Sequence, residues 1–137
     1  MPDRIVLDSS VIAAIFFLEK ISDQAIDAAA NSECITVDLA YAEVANVAWK
    51  RVAHARNDAD AVRSSLDRCI AFIQETCDVI PAHDLITPSW DLATRHHITI
   101  YDALFIAASV RCGAPLVTAD VKLHSEMNTI YPIRLIR

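Results

Sequence analysis

Apolar residues fall along this chain in short runs separated by longer stretches with helical spacing. Ile5-Val6-Leu7 is such a run, and residues of this kind fit a pleated surface covered on both faces. A first strand is expected at about residues 4–7, closed by Asp8. A helix pattern follows at once, over 9–18, with Val11, Ile12, Ile15 and Phe16 on one face. Phe17 and Leu18 make that helix apolar almost all round, which points to a contact surface as well as a core element. A second helix is expected at 22–31 and a second strand at 35–37, ended by Asp38. The next helix, 39–55, offers Leu39, Val44, Val47 and Ala48 to the core. Asp58 is placed to cap a long amphipathic helix over 59–76, which carries Val62, Leu66, Cys69, Ile70 and Ile73.

Val79-Ile80 reads as a short strand stopped by Pro81. A helix over 88–97 leads into an extended stretch, Ile98-Thr99-Ile100, and Tyr101-Asp102 opens a helix over 103–112 that is small or apolar throughout and hence central. Gly113, the only glycine, falls where a left-handed residue ends a helix. A strand at 115–118 ends in Ala119-Asp120, a short helix follows, and 133–136 closes the sheet. Strands alternating with helices imply an α/β fold, a three-layer α/β/α sandwich with a mainly parallel central sheet.

Composition narrows the class. With 54% apolar residues in 137, the chain suits a single domain, 1–137, with one core. Its net charge of −6 counts against broad electrostatic binding of nucleic acid. A metal-mediated nuclease stays open, because bound cations would invert the potential locally. Cys34, Cys69, Cys77 and Cys112 show no CxxC pairing and read as reduced, mostly buried thiols. No secretory leader is expected before the first strand, and no apolar run reaches the ~18–20 residues of a membrane span. The expected location is the cytoplasm.

Four acids carry the candidate chemistry. Asp8, Asp102 and Asp120 each stand where an extended stretch meets a helix start, and Glu43 lies one turn into the helix after strand 2. All four can point into one crevice at the carboxyl edge of the sheet, where ligands bind in open α/β folds. Such carboxylates repel and raise one another's pKa values, and a hard divalent cation, Mg²⁺ or Mn²⁺, removes that repulsion. A metal-activated water is then the natural nucleophile for a phosphodiester. The ordinary use of an Asp before a helix is as an N-cap, and that alternative stands for Asp8, Asp38 and Asp120 alike. Asp38 is assigned as a cap, because its own helix supplies Glu43.

Four segments then bring a resemblance. Ile-Val-Leu-Asp-Ser-Ser at 5–10, Tyr-Ala-Glu-Val-Ala-Asn at 41–46, Tyr-Asp-Ala-Leu-Phe-Ile-Ala-Ala-Ser at 101–109 and Leu-Val-Thr-Ala-Asp at 116–120 resemble the PIN-domain nucleases. Within them the chain is most similar to the toxins of VapBC toxin–antitoxin pairs, over almost its whole length. The resemblance implies an α/β/α sandwich, Mg²⁺- or Mn²⁺-dependent RNA cleavage, a homodimer, and inhibition by a small antitoxin. By position Asp8, Glu43, Asp102 and Asp120 match the family's acidic, metal-holding site. Ser9 and Thr118 match its small hydroxyl positions beside those acids.

Other features point less sharply. Lys50, Arg51, His54 and Arg56 could guide RNA phosphates, or simply complement a helix C-terminus. His96-His97 face different ways on a helix, which disfavours a shared metal. Trp49 and Trp90 could stack on bases, although core or interface packing is the commoner use. Three rival readings remain: an RNA-processing nuclease outside a toxin pair, a non-catalytic partner-binding module, and a phosphatase on a doubly wound sheet. The last usually needs an Asp two residues after the strand-1 Asp, where Ser10 stands.

Overall fold

The computed structural model describes residues 3–137. Among them are five strands: β1 (Asp3–Leu7), β2 (Ser32–Val37), β3 (Asp78–Ile80), β4 (Leu116–Thr118) and β5 (Ile133–Leu135). The helices are α1 (Ser9–Phe16), α2 (Ser22–Ala30), α3 (Leu39–Ala53), α4 (Ala59–Glu75), α5 (Ile86–His96), α6 (Ile100–Cys112) and α7 (Val121–Met127). The sheet is wholly parallel, in the order β3-β2-β1-β4-β5.

That order contains one reversal. The chain steps outward from β1 to β2 to β3, then crosses back to lay β4 on the other side of β1. Right-handed crossovers send connections that run in opposite directions to opposite faces of a sheet. The contacts agree: α1 packs on α2, α3 and α4, while α6 packs on α5, β1, β2 and β4. The crevice beyond the carboxyl ends of β1 and β4 lies at this switch, where α/β sheets bind ligands.

Ile5, Val6 and Leu7 are covered on both faces, as their run of apolar side chains requires. Every residue from Ala103 to Ser109 in α6 is buried, because alanines let the helix lie close to the sheet. Gly113 ends α6 in the left-handed region at φ +59, and its N–H closes the last turn onto Ser109 and Val110. Two sequence expectations change here. Ile98-Thr99-Ile100 is no strand: the Thr99 hydroxyl caps the Asp102 N–H and the helix begins at Ile100. A threonine three residues ahead of an acid is itself a start signal, and it outweighs the β-branched run.

Nor is the first helix a spare apolar surface. Val11, Ile12 and Phe17 are buried, Ile15 and Phe16 half-buried, and only Leu18 is fully exposed, at 92%. Three helices surround α1, so its excess of apolar residues is core, not interface. Phe17 also lies beneath the Arg51 guanidinium, 5.0 Å from the ring centre, while Arg51 bonds Glu19 at 2.9 Å. Phe17→Ala should therefore cost about 3–5 kcal/mol of stability, read as a lower urea midpoint. A midpoint unchanged from that of the parent would contradict this packing.

Candidate active site

The site starts from Asp8, the residue that leaves β1 and begins α1. Its carboxylate is buried and held on both oxygens. Oδ1 accepts from the Ser10 hydroxyl at 2.5 Å and from the Val11 N–H at 3.3 Å. Oδ2 accepts from the Thr118 hydroxyl at 2.5 Å. Each hydroxyl in turn accepts from the segment after β4: Ser10 from Ala119 N–H and Thr118 from Asp120 N–H, both at 3.0 Å. One carboxylate thus ties the end of β1 to the end of β4. The sequence places Ser10 only as the residue that stands where a phosphatase would carry an Asp, not as a partner of Asp8. The signal was available, since a serine two residues after a capping Asp can reach the cap's carboxylate.

Glu43 enters from α3, half-buried, and its Oε1 accepts from the Ser9 hydroxyl at 2.8 Å. Asp102 enters from the first turn of α6. Asp120 caps α7 through a 3.0 Å bond from Leu123 N–H to Oδ1. Asp102 raises the pKa of Asp8, Asp8 and Asp102 raise that of Glu43, and Asp120 and Glu126 raise that of Asp102 while Lys122 lowers it. Burial is the largest cause for Asp8, Glu43 and Asp102. It pushes Asp8 from 3.8 to about 6, although bonds from Ser10, Thr118 and Val11 pull the other way. Glu43 and Asp102 are also raised. Among the described residues none of the four acids forms an ion pair.

The N-cap reading of Asp8 and Asp120 is thus met by the geometry. For Asp38 it is not. Asp38 already has helical angles, φ −61 and ψ −17, so its carboxylate does not reach back into its own helix. It accepts instead from Ala82 N–H at 2.9 Å, fastening the chain beyond β3.

An oxygen-only donor set, in which Lys122 offsets the charge at Asp102 only in part, suits a hard divalent ion. As oriented here, no three acidic, histidine or cysteine side chains among the described residues stand close enough to hold an ion jointly. Two hollows adjoin the acids. A cleft of about 440 Å³ is lined by Ser9, Glu43 and Tyr101, among others. A smaller one, about 100 Å³, is lined by Thr99, Asp102 and Lys122.

The remaining candidates fall elsewhere. Of the basic cluster, Arg51 is committed to Glu19 and Phe17, whereas Lys50 lines the larger cleft. His96 approaches the Tyr131 hydroxyl at 3.4 Å, and His97 ends α5 in the left-handed region. Trp49 and Trp90 are exposed, so neither serves the core. The four cysteines are free, two of them buried.

The sequence profile of the PIN domain matches residues 5–126. The chain is 32% identical over 124 residues to Ribonuclease VapC3 of Pyrobaculum aerophilum, covering 90% of this chain and 94% of that one. Two solved structures share the fold. Mycobacterium tuberculosis VapC20, a sarcin–ricin-loop-cleaving toxin, superposes with a TM-score of 0.71 at 17% identity, over 90% of this chain and 95% of that one. The promoter-DNA-bound VapBC2 of Rickettsia felis gives 0.68 at 16%, over 98% and 99%.

The raised Asp8 pKa has a measurable sign. The folded state holds the proton more tightly than the unfolded chain, so in EDTA the stability should rise as pH falls from about 6 towards 4. Asp8→Asn should remove much of that rise. Thermal unfolding across this range checks it, and a rise just as large in Asp8→Asn would reassign the proton.

Proposed function

The chain belongs to the PIN-domain family, and from that premise we propose that it is a divalent-metal-dependent endoribonuclease, the toxin of a toxin–antitoxin pair. The observation that supports this most is that Asp102 raises the pKa of Asp8 and of Glu43, and Asp120 that of Asp102, at the switch point of the sheet. The relatives named Ribonuclease and the toxin structures support the substrate class.

Asp8, Glu43, Asp102 and Asp120 are the residues that would hold Mg²⁺ or Mn²⁺. Such an ion, when bound, supplies the positive charge that lets a phosphodiester enter an acidic crevice. The chain's own part is positioning and proton transfer. Ser10 and Thr118 fix the Asp8 carboxylate in one orientation. Ser9 holds Glu43 through Oε1 and so aims the rest of that carboxyl at the cleft. The raised pKa of Glu43 suits it to accept a proton from an attacking water.

The same reading includes a small antitoxin and a homodimer. Val110 is exposed in a groove of about 370 Å³ between α5 and α6, lined also by Leu85, Leu92 and Ala107. This surface, not α1, is the apolar face offered to a second copy. No helix among the described residues is long and apolar enough to cross a membrane; the cytoplasmic location is part of the toxin reading.

Cleavage of single-stranded RNA should require Mg²⁺ or Mn²⁺ and stop in EDTA. Asp102→Asn should lower the rate by orders of magnitude and leave the circular dichroism spectrum unchanged. Full activity in chelator, or in that variant, would defeat the metal mechanism. Expression should arrest growth, and an adjacent small gene should relieve the arrest. Persistent growth on expression would leave a nuclease outside a toxin pair.

A further inference from the structure

The cleft beside Glu43 has a second chemistry besides carboxylate. Its lining also includes the apolar Leu39, Ala42 and Val47. Its one cationic lining residue is Lys50, and Tyr101 and Ser9 line it from other helices than α3. Glu43, Asn46 and Lys50 follow one another at intervals of three and four on α3, so they form a single stripe. Lys50 lies seven positions after Glu43, roughly 10 Å along the helix. Lys50 is therefore set well along the cleft from the acids.

Tyr101 is 57% exposed and immediately precedes Asp102. An aromatic ring open to water adds little to the core, but it offers a face to a base beside the acidic site. Arg51, next to Lys50 in the chain, is withdrawn from the cleft by Glu19 and Phe17. On a chain of net charge −6, the lone lysine in this groove stands out as a backbone anchor.

We propose that this cleft is the track for single-stranded RNA, with Tyr101 stacking a base beside the cleaved bond and Lys50 holding a phosphate further along. The track rests on the nuclease reading above and adds to it a polarity: bases on the Tyr101 wall, backbone along the α3 stripe. It selects single strands, because the bases of an A-form duplex have no free face for Tyr101.

The test uses the full chain carrying Asp102→Asn, in Mg²⁺, so that RNA stays intact. Anisotropy of a short labelled single-stranded RNA of mixed sequence gives the affinity over a range of salt. Tyr101→Ala should weaken binding between about fivefold and a hundredfold, and Tyr101→Phe should keep it. Lys50→Ala should lower the slope of log affinity against log salt by about 0.7, and Lys50→Arg should restore it. Trp49→Ala, equally exposed but outside the cleft lining, should change nothing. The duplex form of the same RNA should show no dependence on Tyr101. If the parent binds RNA and neither cleft residue matters, the track is wrong and the nuclease reading stands. A loss in Tyr101→Ala that Tyr101→Phe shares overturns the stacking role. A parent that binds no RNA overturns the track, while the metal-dependent cleavage assay of the unsubstituted chain decides the nuclease reading by itself.

Discussion

The bonds around Asp8 are what the site depends on. Three donors converge on this carboxylate from two separate segments, and the two hydroxyls among them are themselves fixed by backbone N–H groups after β4. A hydrogen bond to a charged group contributes on the order of 1.5–3 kcal/mol. Desolvation nevertheless wins, since the pKa is still raised to about 6. The fold thus holds a buried negative charge in fixed orientation without neutralising it. A carboxylate paired with lysine or arginine would be more comfortable and less able to attract a cation.

The sheet order explains why that tension arises at this place. Only β1 and β4 sit side by side with chain leaving them in different directions, so only there does a crevice open between loops. Thr36 strengthens the same edge by donating to the Leu7 carbonyl at 2.8 Å, next to Asp8. Asp38 does similar service one strand over, on Ala82. Acids and hydroxyls at strand ends are thus divided between two tasks. Some brace the loops, and others are left facing the crevice.

Helix α3 links the site to its surroundings. Its buried face, Ala40, Val44 and Ala48, seats it in the core. Its adjacent stripe carries Glu43 to the acids and Lys50 away from them. Because the helix is rigid and anchored, the spacing between these two side chains is set by helical geometry, not by loop motion.

Much of this was legible in the residues. Three-residue apolar runs between helical patterns dictate a buried parallel sheet, since both faces of such strands must be covered. Glycine after α6 and the acids at element boundaries are local signals, and local signals survive into the fold. What the sequence could not decide is which partner each group meets. Phe17 and Trp90 are both large and apolar, yet one is enclosed by neighbouring helices and the other faces water. Asp8 and Asp38 both end strands, yet one is bracketed by hydroxyls and the other bonds a distant N–H. Lys50 and Arg51 are neighbours, yet Glu19 claims only the second. Periodicity fixes a side chain's direction from its own element. Its environment comes from elements brought alongside by the crossovers, at separations as long as the 110 residues between Asp8 and Thr118.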